Sequence, residues 1–122
     1  MVKSYRELIV WQKGNRLAVL VYELSKTFPR EDLYGLTSQL RRAAIAIPSK
    51  IAEGAGRLST PDYRHYLGMA RGSNFELQTQ LTIARELGLG EAAQMDEIDG
   101  LSVEIGKMIS STLTSLSIDR EH

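Results

Sequence analysis

Four cations, Arg41, Arg42, Lys50 and Arg57, stand within the single segment QLRRAAIAIPSKIAEGAGR that runs from Gln39 to Arg57. Guanidinium and ammonium groups brought together in this way can hold phosphate oxygens, and each such contact weakens as salt rises. The same groups can instead pair with acids inside the protein. Glu53 stands four residues before Arg57, the acid-to-base order that favours an ion pair on a helix. Glu76, on a later helical stretch, is a second candidate acid for an arginine. Arg41 and Arg42 lie about 100° apart around a helix, so only one of them can turn toward the core side while the other faces out.

Other chemistries find less support. Phosphotransfer modules built on helical bundles need a small residue one turn beyond their histidine and a lysine nearby. Gly68 follows His65 by three residues, but Met69 fills the next position and no lysine stands close; His65 reads as a surface histidine. Metal centres in bundles use Glu-x-x-His motifs, whereas here Asp62 precedes His65 and Asp119 precedes His122, so no metal site is expected. Ser59, Ser73 and Ser110 lack a histidine at a partner position. There is no cysteine, which excludes a disulfide framework and a thiolate nucleophile, and no phosphate-cradling glycine loop after a strand. The five tyrosines could stack on bases, but tyrosine at helical spacing more often packs in a core or interface. No catalytic residue, no cofactor and no enzyme are expected.

The elements that must position these groups follow from composition and periodicity. With 122 residues, 43% apolar and 25% charged, the chain suits one domain with one core. A single domain over residues 1–122 is therefore expected. No apolar run reaches the roughly 20 residues of a membrane span, and the first residues lack the pattern of a secretory signal, so a cytoplasmic protein is expected. The net charge is zero, yet the halves differ: twelve Lys/Arg against six Asp/Glu up to Gly72 give +6, and three against nine from Ser73 onward give −6. A dipolar surface of this kind could steer a polyanion to one side or pair subunits basic face to acidic face.

Four helices are expected, at about 5–27, 36–55, 61–88 and 92–117. Ser4 and Glu7 read as a capping box opening the first, which ends ahead of Phe28-Pro29. Its apolar residues cover more than one stripe, so Ile9, Trp11, Val19 and Leu20 are candidates for a subunit interface. In the second helix Leu36, Leu40, Ala43, Ile47 and Ile51 face the core, Pro48 predicts a kink, and the glycines after Glu53 offer a left-handed terminus. Ser59-Thr60-Pro61-Asp62 is a strong start for the third, in which Gly68 and Gly72 would let a neighbouring helix approach. The fourth lines up Met95, Ile98, Leu101, Ile105, Met108, Ile109, Leu113 and Leu116, with an acidic opposite face. Short links make antiparallel neighbours and an all-α, up-down-up-down four-helix bundle.

One set of residues carries more than periodicity. Leu8-Ile9-Val10-Trp11-Gln12, Phe28-Pro29 with Glu31, Leu33-Tyr34-Gly35-Leu36, Gln39 to Ala44, Ile47-Pro48, Ile51 to Gly54, and Ala70, Gly72-Ser73 and Glu76-Leu77 together span nearly the whole chain. In these the sequence resembles the four-helix-bundle family encoded in intervening sequences of bacterial 23S ribosomal RNA genes. That family is similar in fold to the accessory variability determinant of diversity-generating retroelements. The resemblance implies a small cytoplasmic bundle that assembles as a ring, typically a homopentamer, with no established enzyme activity. Its retroelement relatives bind a reverse transcriptase and nucleic acid. The chain departs from the family at Ala46 and Lys50, where serine and asparagine are usual; a hydroxyl and an amide are lost and a positive charge is added. The expectation is a non-enzymatic homo-oligomeric binding or adaptor protein that engages RNA, DNA or a nucleic-acid enzyme through Arg41, Arg42, Lys50 and Arg57. The alternative is a structural oligomer that uses those arginines in subunit contacts.

Overall fold

The computed structural model describes residues 4–121, with side chains for residues 4–117. It holds four long helices, α1 (Ile9–Ser25), α2 (Ser38–Ala55), α3 (Thr60–Glu86) and α4 (Ala92–Glu121), and no strand among the described residues. The Asp119 and His122 pair weighed above lies outside the described side chains. α1 packs against α2 and α4, and α3 against the same two helices. Cross-helix pairs run in opposite senses along each seam. On α3 and α4, Arg64 meets the Leu113 carbonyl, Asn74 meets Ser102, and Arg85 meets Asp96 and Asp99. On α1 and α4, Lys13 meets Glu104 and Arg16 meets Glu97. On α1 and α2, Gly14 faces Pro48 and Ser25 bonds Arg41.

The core is the sum of one stripe from each helix. Val10, Leu17, Val21 and Leu24 on α1 meet Leu40, Ala43, Ala44, Ile47 and Ile51 on α2, Leu67, Ala70, Leu77, Leu81 and Ala84 on α3, and Met95, Ile98, Ile105 and Ile109 on α4. The three- and four-residue spacing puts each set on one side of its helix. Truncating one of the fully buried leucines to alanine would cost about 2–5 kcal/mol. Leu36, expected in the core, is only partly buried.

Two helix termini depart from the sequence reading. Ser4 does not open α1. Its hydroxyl accepts from the Arg6 N–H (3.2 Å) and caps a 3-10 turn at Tyr5–Glu7, after which Leu8 is extended and α1 begins at Ile9. α2 ends without a left-handed glycine, since Gly56 keeps right-handed helical angles. The left-handed glycines are Gly88 (φ 72°) and Gly90 (φ 81°) between α3 and α4. There the Leu89 N–H bonds to the Ala84 carbonyl (2.9 Å) and the Gly88 N–H to the Arg85 carbonyl (3.0 Å), the paired bonds of a Schellman terminus.

Between α1 and α2 the chain makes a 3-10 turn at Arg30–Asp32 and a π-type turn at Leu33–Thr37 whose Gly35 leaves helical angles. α2 then passes through Pro48 as one helix. The Ser59 hydroxyl caps α3 by accepting from the Asp62 N–H (3.2 Å), as its sequence demands.

Candidate functional site

The close approach between α2 and α3 is set by Gly54. A Cβ there would lie 2.7 Å from the Cβ of Tyr66 and 3.1 Å from Tyr63 Cδ1, so no larger residue fits without moving α3. Gly68 and Gly72, expected to play this part, are exposed with nothing within 4 Å of a built Cβ. The approach lays Tyr66 of α3 across α2, and a cluster forms around it. The Arg57 guanidinium bonds the Tyr66 hydroxyl and stacks over its ring, 4.7 Å from the centroid; the Lys50 ammonium sits 5.7 Å from the same centroid. Glu53 takes Lys50 (3.3 Å) on one oxygen and Arg57 (3.3 Å) on the other. The Tyr66 hydroxyl bond, with the two cations, holds the Glu53 carboxyl below the usual range against the opposing effect of burial. His65 lies edge-on to Tyr66 at 5.3 Å and is exposed.

The other two cations of the segment are elsewhere. Arg41 turns toward α1, where its Nε donates to the buried Ser25 hydroxyl (2.8 Å) and its guanidinium stacks on Tyr22 at 4.7 Å. Arg42 is exposed and has no hydrogen-bond or ion-pair partner among the described residues. One arginine of the pair thus faces inward and one outward, as their angular separation requires. The structure brings Lys50 and Arg57 together and leaves Arg41 and Arg42 apart from them. Glu76 is exposed and pairs with no arginine among the described residues.

The charge halves meet across the bundle. Glu104 and Glu97 on the acidic side of α4 take Lys13 (2.8 Å) and Arg16 (3.3 Å) of α1, while Asp96 and Asp99 take Arg85 (2.7 and 2.8 Å). Bonds to Asp99 and then Asp96 raise the Arg85 pKa further above its ordinary value. These exposed pairs each contribute little to stability, but they use up acids that could have faced a basic partner.

Next to Arg41 the α1–α2 seam opens outward into a groove of about 300 Å³, lined on α1 by Trp11, Asn15 and Ala18 and on α2 by Ile45, Pro48 and Ala52. Tyr5 joins the rim and packs edge-on to Trp11 at 5.1 Å. Of the interface candidates, Trp11 lies in this groove, Leu20 packs partly against the core, Val19 is exposed, and Ile9 is exposed beside a second cleft at the end of the bundle. They do not form one patch: Ile9 and Val19 are roughly 15 Å apart along the axis.

The family model for the 23S rRNA-intervening sequence protein matches residues 6–111. The chain belongs to this family. Its helical fold is shared with a crystal structure from the S23 ribosomal protein family of Bacteroides thetaiotaomicron VPI-5482, a protein of unknown function. The two chains superpose with a TM-score of 0.80 at 24% identity, covering 86% of this chain and 98% of that one. No curated protein matches. The family match takes in α1, α2, α3 and most of α4, so the Tyr66 cluster and, apart from Tyr5 on its rim, the α1–α2 groove lie inside the 23S rRNA-intervening sequence region.

Among the described residues no group of acids and histidines could hold a metal ion, and no helix is long and apolar enough to cross a membrane. Two features escaped sequence reasoning. Tyr66 was counted as one of five tyrosines, because nothing local says that it crosses to α2. Ile45 was passed over because it lies off the core stripe, although Arg41, Ile45, Ser49 and Ala52 repeat at helical spacing along a second face.

Proposed function

We propose that the protein is a non-enzymatic cytoplasmic homo-oligomer, a ring of five copies as the family resemblance implies, that acts as a binding or adaptor protein. Its copies meet over the α1–α2 face. The observation that supports this is the outward groove of Trp11, Ala18, Ile45, Pro48 and Ala52, in which Ile45 remains 44% exposed. Apolar side chains gathered between two helices in this way gain stability when a further copy covers them. Arg41, held to Ser25 and Tyr22 at the groove's end, serves the packing of α1 on α2. Light scattering should give a solution mass that is a multiple of 13.6 kDa; a monomer across the micromolar range contradicts the reading.

One observation favours a second reading, in which the oligomer also engages RNA, DNA or a nucleic-acid enzyme such as a reverse transcriptase. Arg42 is exposed without a partner, and Lys50 and Arg57 share one partly exposed aromatic ring and one carboxylate. A phosphate could replace Glu53 as the acceptor. Filter binding to structured RNA and single-stranded DNA should then show affinity that falls with salt and falls again in Arg42→Ala; the absence of salt-sensitive binding removes this reading.

A further inference from the structure

At the end of the bundle where α1 begins, the extended Leu8 and the start of α3 leave a cleft of about 490 Å³ between α1, α3 and α4. Its walls are apolar, built from Leu8, Ile9, Val10 and Met108, with Ile9 53% exposed. Four polar side chains line the same cleft, Tyr63 of α3 and Lys107, Ser111 and Thr112 of α4. Thr112 donates to the Met108 carbonyl and Ser111 sits at the exposed rim, whereas Lys107 and Tyr63 are uncommitted. Lys107 has no ion pair, and the Tyr63 hydroxyl no hydrogen bond, among the described residues. The neighbouring cations differ: Arg64 is bonded to the Leu113 carbonyl and Arg57 to Glu53 and Tyr66.

We infer that this cleft binds an amphipathic anion, a medium-length alkyl chain lying on Leu8, Ile9, Val10 and Met108 with its carboxylate at the Lys107 ammonium. An alkyl chain removes apolar wall from water, and the carboxylate supplies the acceptor that both donors lack. The Tyr63 phenol is a proton donor at neutral pH, as any tyrosine is, and half-burial moves its pKa in the same direction. A polyphosphate is a poor fit, because the apolar walls would strip its hydration without replacing it. A neutral alcohol would gain the walls and leave the ammonium unmatched. The site is separate from the α1–α2 groove and does not rest on the oligomeric reading.

Isothermal titration of the full chain with decanoate, decanol and acetate tests the assignment. Decanoate should bind saturably below its micellar concentration and more tightly than decanol, and acetate should not bind. Lys107→Gln should weaken decanoate about fivefold, as an exposed charge pair does, and leave decanol unchanged. Ser111→Trp, which places an indole at the exposed rim, should block both chains while the helical circular dichroism is kept. No saturable decanoate binding by the unaltered chain, or undiminished binding in either variant, overturns the inference.

Discussion

Along α3 and α4 the seam is closed by polar groups, whereas along α1 and α2 it is closed by apolar contacts on the inside and left open on the outside. On the first seam Asn74 is fully buried: its amide donates to the Ser102 carbonyl (2.9 Å), the Ser102 hydroxyl donates to its carbonyl oxygen (2.6 Å), and Gln78 donates to the same hydroxyl (2.9 Å). A satisfied buried network accepts only one register, since a shift would orphan every member. On the second seam the hydrogen bond across the helices among the described residues is that of Arg41 to Ser25, and the groove beside it displays Trp11 and Ile45. The difference teaches which pair of helices is complete within one chain and which has surface to offer another.

The largest effect expected comes from breaking the closed seam. Asn74→Ala strands the Ser102 hydroxyl proton in the core and should lower stability by about 2–3 kcal/mol, read as a fall in the urea midpoint without a change in helix content. Gly54→Ala should cost about 2 kcal/mol by forcing a Cβ against Tyr66. Gly14→Ala tests the opposite case on the α1–α2 seam: its Cβ would meet Ile47 and Pro48 at 3.5 Å, in ordinary contact, so the variant should hold or gain up to about 1 kcal/mol from helix propensity. Thermal melts that rank the two alanines in the reverse order would refute the packing assigned to the α2–α3 approach at Gly54 and to the α1–α2 seam at Gly14.

The smallest expected effect concerns pH. The folded Glu53 carboxyl lies below its ordinary value of 4.5, so its contribution to stability is complete above the unfolded carboxylate range and is lost as pH falls through the lowered value. Comparing urea midpoints at about pH 6 and about pH 3.5 should therefore show a smaller acid-side loss in Glu53→Gln than in the unaltered chain. An equal loss in both would mean that the Tyr66 hydroxyl, Lys50 and Arg57 do not favour the charged form.

Much of the fold was legible because helix stripes and caps are local signals. The stripe of α4 and the Ser59 cap were read correctly, down to single residues such as Ile98 and Ile105. What failed depended on distance in space. Ser4 and Glu7 have capping-box spacing, but the chain straightens at Leu8 instead of continuing as a helix. Gly68 and Gly72 look like a contact surface one turn apart, yet they face solvent, while Gly54 looked like a helix terminus and proved to be the contact. A glycine's sequence neighbours do not say which face of its helix meets another helix. The same limit scattered the four cations: their spacing was visible, but only the packed bundle showed Arg41 turned to α1 and Lys50 gathered with Arg57 around Tyr66.

The central claim is that the α1–α2 face, and not the α3–α4 side, carries self-association. It is tested most directly by the solution mass of two matched variants, Ile45→Glu in the groove and Val103→Glu on α4, whose native side chains are 44% and 49% exposed. Both should keep their helix content. Ile45→Glu should fall to the 13.6 kDa of a single chain while Val103→Glu keeps the mass of the unaltered assembly. A full-mass oligomer in Ile45→Glu, or dissociation confined to Val103→Glu, would contradict the account.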